Sequence, residues 1–501
     1  MMPANSKYIK CLIAILFVVS GGSGCGVIGD KSAMPPDRVM VDRQNHQALM
    51  DFEAAVQDAG VADIQDARID GYPYFRLNRF LQSLKTDLTS AKKRSAWMDR
   101  VHELGARGML MEMDNLPDKS FHTLFSGQTR NEAAATIIQR SASIKNRILK
   151  NSGKLNAIIE KAGVPSDYQT YARVIGGYPL SRWFILMGLK DLQKESKENF
   201  QKAGTLIDPR GNWYCPEGPQ PEFSQPARKA ILLRAVKKSA LGIPEPGPDD
   251  LRLFFDYFAP AWHVFPMSGS DRIGRPFWAS SRKIQINVSD PVVYRFHSFT
   301  RMNQDIFLQL NYVVWFPERP SDGFFDIYSG HIDGLIWRVT LDMDGRVLLY
   351  DSVHPCGCYH KYYKVSKRLS PLLHPPTAEP PLIFDTNIPD GETARVMIHL
   401  TGKEHFVTGL SPAADARANV EPVPNKPFDT LRHLPLSNGF KSMFDTNGLV
   451  PGTQRKERFL VWSSGVLSPG AMRQPGHHAM ALVGKLYFDE PRLLEKAFEI
   501  K

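Results

Sequence analysis

A chain of 501 residues with 43% hydrophobic and 23% charged content has material for two or three cores, which excludes a disordered polymer and a small disulfide-stapled domain. Its formal net charge of +10 is spread thinly, densest at Lys92-Lys93-Arg94 and over Lys145–Lys161, where it interleaves with apolar residues at helical spacing. That is the pattern of a solvated helix face beside an anionic membrane, and no nucleic-acid partner is expected.

Lys7 and Lys10 precede the apolar run Cys11–Val19, and Ser20-Gly21-Gly22-Ser23-Gly24 then leads to Cys25. The run is shorter than the roughly 20 residues of a bilayer span, and the small residues after it fit a cleavage site, so residues 1–24 read as an export signal. Small residues directly before a cysteine resemble the lipobox of bacterial lipoproteins, with Gly22 standing where leucine is usual. The resemblance implies a lipid-modified (palmitate-bearing) Cys25 as the first mature residue, attachment to a membrane through that lipid, and a place in the periplasmic cell envelope. Gly26 rather than aspartate after the lipid site implies the outer membrane. Removal of residues 1–24 takes Lys7 and Lys10 and no acid, so the charge falls from +10 to +8. Residues 25–43, with Pro35-Pro36, read as a tether.

From residue 44 to 207 the pattern is helical: Leu49, Phe52 and Val56 share a face, as do Leu77, Phe80, Leu81 and Leu84, and later Leu155, Ile158 and Ile159. Inside this region Gly71-Tyr72-Pro73-Tyr74-Phe75-Arg76 is echoed by Gly177-Tyr178-Pro179-Leu180-Ser181-Arg182. The echo predicts a duplicated, all-helical domain. Each proline would open a helix, Tyr72 and Tyr178 would sit in matching environments, and Arg76 and Arg182 would each face a carboxylate.

Residues 208–250, rich in Pro and Gly, read as a linker around a short helix, and from 251 to 501 the period changes to two. Runs at 284–288, 292–299, 306–316, 336–341, 347–350, 394–400, 405–410 and 458–463 read as strands of a sandwich or jelly-roll-like domain. Asp342-Met343-Asp344-Gly345 reads as a hairpin turn rather than a calcium loop, and residues 493–498 as a short helix. The predicted fold class is α+β, with the helical domain first and the β-rich domain second.

The densest chemistry is Tyr350–His360, which holds His354, Cys356, Cys358 and His360. On an extended strand these four face one way but lie roughly 6.5–7 Å apart, too far for one ion, and Pro355 and Gly357 allow the bend that would gather them. Three readings stand: a transition-metal site, for zinc or iron, using two or three of these residues; a disulfide from Cys215 to Cys356 or Cys358; or a reactive Cys–His pair. His331-Ile332-Asp333, followed by His399 and His405, resembles the facial triad of iron oxygenases built on jelly rolls, against the alternative of structural histidines on a sheet. At the hairpin around Gly402 a two-residue loop is expected, which sends His399 and His405 to opposite faces; a three-residue loop would set them side by side. Of His477-His478 at most one can join any site, and Ser463-Ser464 lacks the Gly-x-Ser-x-Gly elbow of serine hydrolases. Two functions compete. One is an envelope-anchored, metal-dependent enzyme; the other is a non-catalytic binding or structural module whose cysteines are structural.

Overall fold

The computed structural model describes residues 36–203, 211–323, 325–389, 395–413 and 420–501, so the expected export signal and lipid site at Cys25 lie outside the described residues. The chain divides into Met1–Gln44 and one compact unit, Asn45–Lys501. Helices dominate the first part: α1 (Pro36–Asp58), α2 (Arg79–Ser83), α3 (Ala91–Asn115), α4 (Asp118–Leu124), α5 (Arg130–Leu149), α6 (Ser152–Lys161), α7 (Thr170–Ile175) and α8 (Tyr178–Ala203). Several of their starts carry the side chains that satisfy free N–H groups. Ser90 caps α3, Asn151 caps α6, and Thr129 with Glu132 forms a reciprocal capping box on α5. Leu49, Phe52 and Val56 of α1 pack with Trp97 and Val101 of α3 and Ile137 and Ile144 of α5 in one core.

This part is not all helical. The first copy of the echoed motif is a hairpin, β1 (Ala67–Ile69) and β2 (Tyr72–Leu77), whereas the second opens helix α8, so the two copies do not superpose. Tyr74 and Phe75 are both buried under α3, where the echo has Leu180 and Ser181. A Cβ at Gly105 of α3 would lie 2.0 Å from the Tyr74 carbonyl oxygen, which measures how closely the helix lies on the strand. Arg76 is buried against Asp63 (3.1 Å) and Glu112 (2.6 Å), as expected; Arg182 is exposed with its guanidinium over the Trp183 ring.

The stretch expected as a linker contributes strand β3 (Asn212–Pro216) and helices α9 (Gln225–Lys238) and α10 (Pro248–Phe258). Beyond it run β4 (Ala261–Val264), β5 (Arg275–Ser280), β6 (Lys283–Asn287), β7 (Val293–Met302), β8 (Asp305–Arg319), β9 (Gly330–Leu341), β10 (Val347–Val353) and β11 (Lys361–Lys364). β12 (Leu369–Pro371), β13 (Ile383–Asp385), β14 (Val396–Leu400), β15 (Val407–Pro412), β16 (Val420–Val423) and β17 (Asn425–Pro427) follow. They form a seven-stranded sheet in the order β13-β11-β10-β9-β8-β7-β17 and a five-stranded one in the order β15-β14-β4-β3-β16. Leu335, Trp337, Val339 and Leu341, alternate residues of β9, share a core with Trp262 and Val264 of β4 and Ile398 and Leu400 of β14. The result is a mixed α/β fold with helices mostly early and strands mostly late.

Asp342–Gly345 is the β9–β10 turn, closed by the Gly345 N–H on the Asp342 carbonyl at 3.0 Å. Residues 458–463 form no strand. They close two short 3₁₀ turns, Lys456–Phe459 and Trp462–Ser464, and leave Phe459, Leu460 and Trp462 exposed. The terminal helix expected at 493–498 is one 3₁₀ turn, Leu494–Lys496, followed by a strand, Phe498–Ile500, paired with β12.

Candidate functional site

At the end of β10 the chain reverses within five residues. The His354 carbonyl accepts the Gly357 N–H at 2.7 Å, and the His354 N–H donates to the Cys358 carbonyl at 3.1 Å. Pro355 supplies the fixed φ that such a turn wants early, and Gly357 the left-handed φ of 90° that it needs late. Only glycine fits there, because a Cβ would meet the Ala479 carbonyl oxygen at 2.5 Å. The bend brings the Cys358 N–H to 3.4 Å from Cys356 Sγ.

Behind this turn lies a buried chain of charges. Asp333 shares the inner face of β9 with Trp337; its Oδ2 is 2.8 Å from His405 Nδ1 and its Oδ1 is 3.4 Å from His354 Nδ1. His405 stacks on Phe316 (3.8 Å, 3°) and points Nε2 at Asp271 Oδ1, 3.5 Å away. Asp271 in turn accepts the N–H groups of Met267, Ser268 and Lys403 at 2.7, 2.5 and 2.7 Å. The backbone around the chain is strained: Ile332, Tyr359, Lys403 and His405 have φ of 53°, 61°, 60° and 54°, four of the six non-glycine residues with positive φ among the described residues. Each such residue costs about 1–3 kcal/mol and persists only where its surroundings over-determine it.

Burial would raise Asp333, but the His354 ring and the hydrogen bonds from both imidazoles hold its carboxyl far below the usual range. His405 is pushed down by burial and then, more strongly, up by its bonds to Asp271 and Asp333, while burial prevails at His354 and lowers it. Along the chain, the two carboxylates thus favour the protonated ring at His405, while burial disfavours it at His354. Cys358 is raised well above an ordinary thiol, first by its hydrogen bond with Cys356 and then by burial, which keeps it protonated and a poor nucleophile or ligand.

The structure joins Asp333 and His405 from one predicted constellation with His354 from the other, and disperses the rest. Ile332 breaks the alternation of the His331-Ile332-Asp333 motif, and His331 Nε2 lies 2.7 Å from the Ile284 carbonyl of β6. His360 is on the opposite face of the seven-stranded sheet, 2.8 Å from Asp351, which is gripped by Arg338. His399 faces outward from the five-stranded sheet, 3.0 Å from His263 and 2.9 Å from Ser411. The β14–β15 register pairs Leu400 with Val407, a six-residue loop rather than two or three. The imidazoles are separated as expected. The longer loop arises because Lys403 and His405 turn left-handed and Thr401 Oγ1 accepts the Phe406 N–H at 3.0 Å.

Among the described residues no group of three or more His, Cys, Asp or Glu is arranged to hold a metal ion. Cys215, Cys356 and Cys358 are free thiols. The Cys215 disulfide, one of the three readings of these cysteines, is not formed: Cys215 packs with Trp213 and Met397 on the outer side of β3 while Cys356 lies among Trp315, Ile332 and Val353. His477 is 2.7 Å from Asp167 and His478 is 3.1 Å from the Arg473 carbonyl, so the pair serves two separate places.

What the turn borders is a cavity of about 490 Å³. Cys358, Tyr359, His360, Lys361 and Tyr362 form one wall, Ile185 and Leu189 of α8 another, and Glu379 and Glu457 supply carboxyls. Burial pushes both carboxyls up to about 7. A second cavity of about 460 Å³ lies between α3 and β7, lined by Asp66, Asn78, Glu245, Ser298 and Gln309. Burial raises Asp66 to about 6, whereas His297 and Arg100 overcome burial at Glu245 and hold it at about 2. None of these acids carries a sequence signal, since each stands in a loop or short turn with no motif around it. In comparisons with protein-family models, curated proteins and solved structures, the chain matches none.

Proposed function

We propose that the chain is an envelope lipoprotein, tethered to the outer membrane through Cys25, whose two sheets form a sandwich that binds an apolar or amphiphilic ligand without transforming it. The observation that carries this reading is the cavity beside the 354–358 turn. Its volume of about 490 Å³ falls within the range of small-molecule sites, and mostly apolar walls surround a few ionisable groups. The alternative of a metal-dependent enzyme has less support. Both Asp333 oxygens are engaged by the Nδ1 atoms of His354 and His405, and Tyr359, whose ring centroid is 5.3 Å from that of His354, lines the cavity in front of them. In this reading the charge chain fixes the strained turn that walls the site.

The test uses N-phenyl-1-naphthylamine, a neutral apolar dye whose emission rises on binding. Wild type is expected to bind it, and Leu189→Trp, which fills the cavity from α8, to weaken binding about tenfold while the thermal transition is retained. Equal binding by a folded Leu189→Trp chain would place the dye elsewhere and retire the cavity as the site.

A further inference from the structure

Helix α8 has two working faces. Ile185 and Leu189 line the cavity, while Trp183, Met187, Lys190, Lys194 and Lys197 follow one another at spacings of three and four residues and are all exposed. Trp183 is 61% and Met187 57% exposed. Helix α7 adds exposed Val174 and Ile175, the 3₁₀ turn Trp462–Ser464 that packs against both helices adds Trp462, and Leu460 lies two residues before it. Leu460 also lines the cavity, so this apolar surface reaches its wall. Large aromatic and aliphatic side chains left in water beside a row of lysines are unfavourable for a free surface, and are the composition of a helix lying in a membrane interface.

We propose that this face, led by Trp183 and Met187 with Lys190, Lys194 and Lys197 behind them, docks on an anionic lipid bilayer. The apolar groups enter the acyl boundary and the lysines meet phosphate headgroups, a charge complementarity that selects an anionic bilayer over a neutral one. The cavity then opens beside the membrane, and its ligand is a bilayer lipid or another amphiphile partitioned there. The docking stands on the exposed face alone; the identity of the ligand rests on the cavity reading above.

Six of the eight tryptophans are buried and the two exposed ones, Trp183 and Trp462, both belong to this face, so quenching by brominated acyl chains reports on it alone. The full chain is mixed with brominated phosphatidylcholine vesicles, with and without phosphatidylglycerol. Quenching is expected with phosphatidylglycerol, mostly lost in Trp183→Phe, and lowered about tenfold in affinity by Lys190→Glu with Lys194→Glu and Lys197→Glu, at unchanged circular dichroism. A chain that sediments with the vesicles yet stays unquenched, or quenching indifferent to the three charge reversals, overturns the proposal. Dye uptake measured without vesicles separates the two readings: uptake without quenching removes the docking alone, and quenching without uptake removes the cavity ligand alone.

Discussion

Asp333 is the residue on which the turn depends, since two imidazoles from distant loops converge on one buried carboxylate. Asp333→Asn keeps the shape and removes the charge, leaving the His405 ring with the Asp271 carboxylate only. Breaking one partner out of a buried ion pair costs about 3–5 kcal/mol, and urea unfolding should show a loss of that size; a loss under about 1 kcal/mol would mean the chain is solvated and not structural. His478 makes a complementary prediction. Burial, with help from Arg473, lowers its folded pKa to about 3, below the usual 6.5, so the unfolded chain binds the proton first. Stability from this group is thus full above about pH 6.5 and falls with pH down to about 3. Relative to His478→Gln, wild type should lose about 1.4 kcal/mol more per pH unit between about pH 6 and 4, measured by denaturant midpoints. The sequence named Asp333, His354 and His405 individually but could not assemble them. Their meeting depends on the left-handed φ of Ile332 and His405, and nothing in a β-branched residue or a histidine announces one.

At the scale of elements, the 354–358 turn and the α3–β2 contact are both set by glycine. Gly357→Ala must adopt a φ of 90° and bring a Cβ within 2.5 Å of the Ala479 carbonyl, so the segment has to open. A loss of about 1–3 kcal/mol is expected, together with weaker dye binding because Cys358 and Tyr359 wall the cavity. Dye affinity equal to wild type in this variant would detach the turn from the site. Most strands were legible because alternation survives wherever one face is buried, as along β9 and β14. The failures have a shared cause. Residues 458–463 hold the apolar run Phe459–Trp462 but pair with no strand, and the echoed hexapeptides differ at the two positions, Tyr74 and Phe75, that make the first a buried strand. Local pattern specifies a tendency; the partner surface decides it.

For the compact unit as a whole, the question is whether helices and sheets unfold together. Asp63, just after α1, accepts from Arg76 of β2 and at 2.6 Å from Arg432, and at 3.0 Å from Gln474, both far along the chain. Asn115 of α3 donates to the Arg432 carbonyl at 2.8 Å, and Arg79 reaches Asp167 and Asp489 at 2.9 and 3.1 Å. The Tyr168 hydroxyl lies 3.0 and 2.9 Å from the Ala481 and Leu486 carbonyls, which share its one proton. Apart from Asp63–Arg76 and Arg79–Asp167, which lie within the helix-rich part, these bonds cross to the strand-rich part, and each of those would be broken if one part opened without the other. A single cooperative transition is therefore expected, with helical ellipticity and near-ultraviolet aromatic signals giving the same midpoint. Arg432→Met, which strands Asp63 with one fewer cation, should lower stability by about 3–5 kcal/mol and move both signals equally. It should also sharpen acid sensitivity. Burial raises Asp63, but Arg432 and Arg76 bring its folded pKa to about 2, below the ordinary 3.8, so its contribution is full above about pH 4 and lost as pH falls through 2. Without Arg432 the folded pKa rises, and the variant should lose its Asp63 contribution at a higher pH than wild type. Two separated transitions in the wild-type chain would show that the helices and sheets are joined by proximity only, with the ion network playing no part in their coupling.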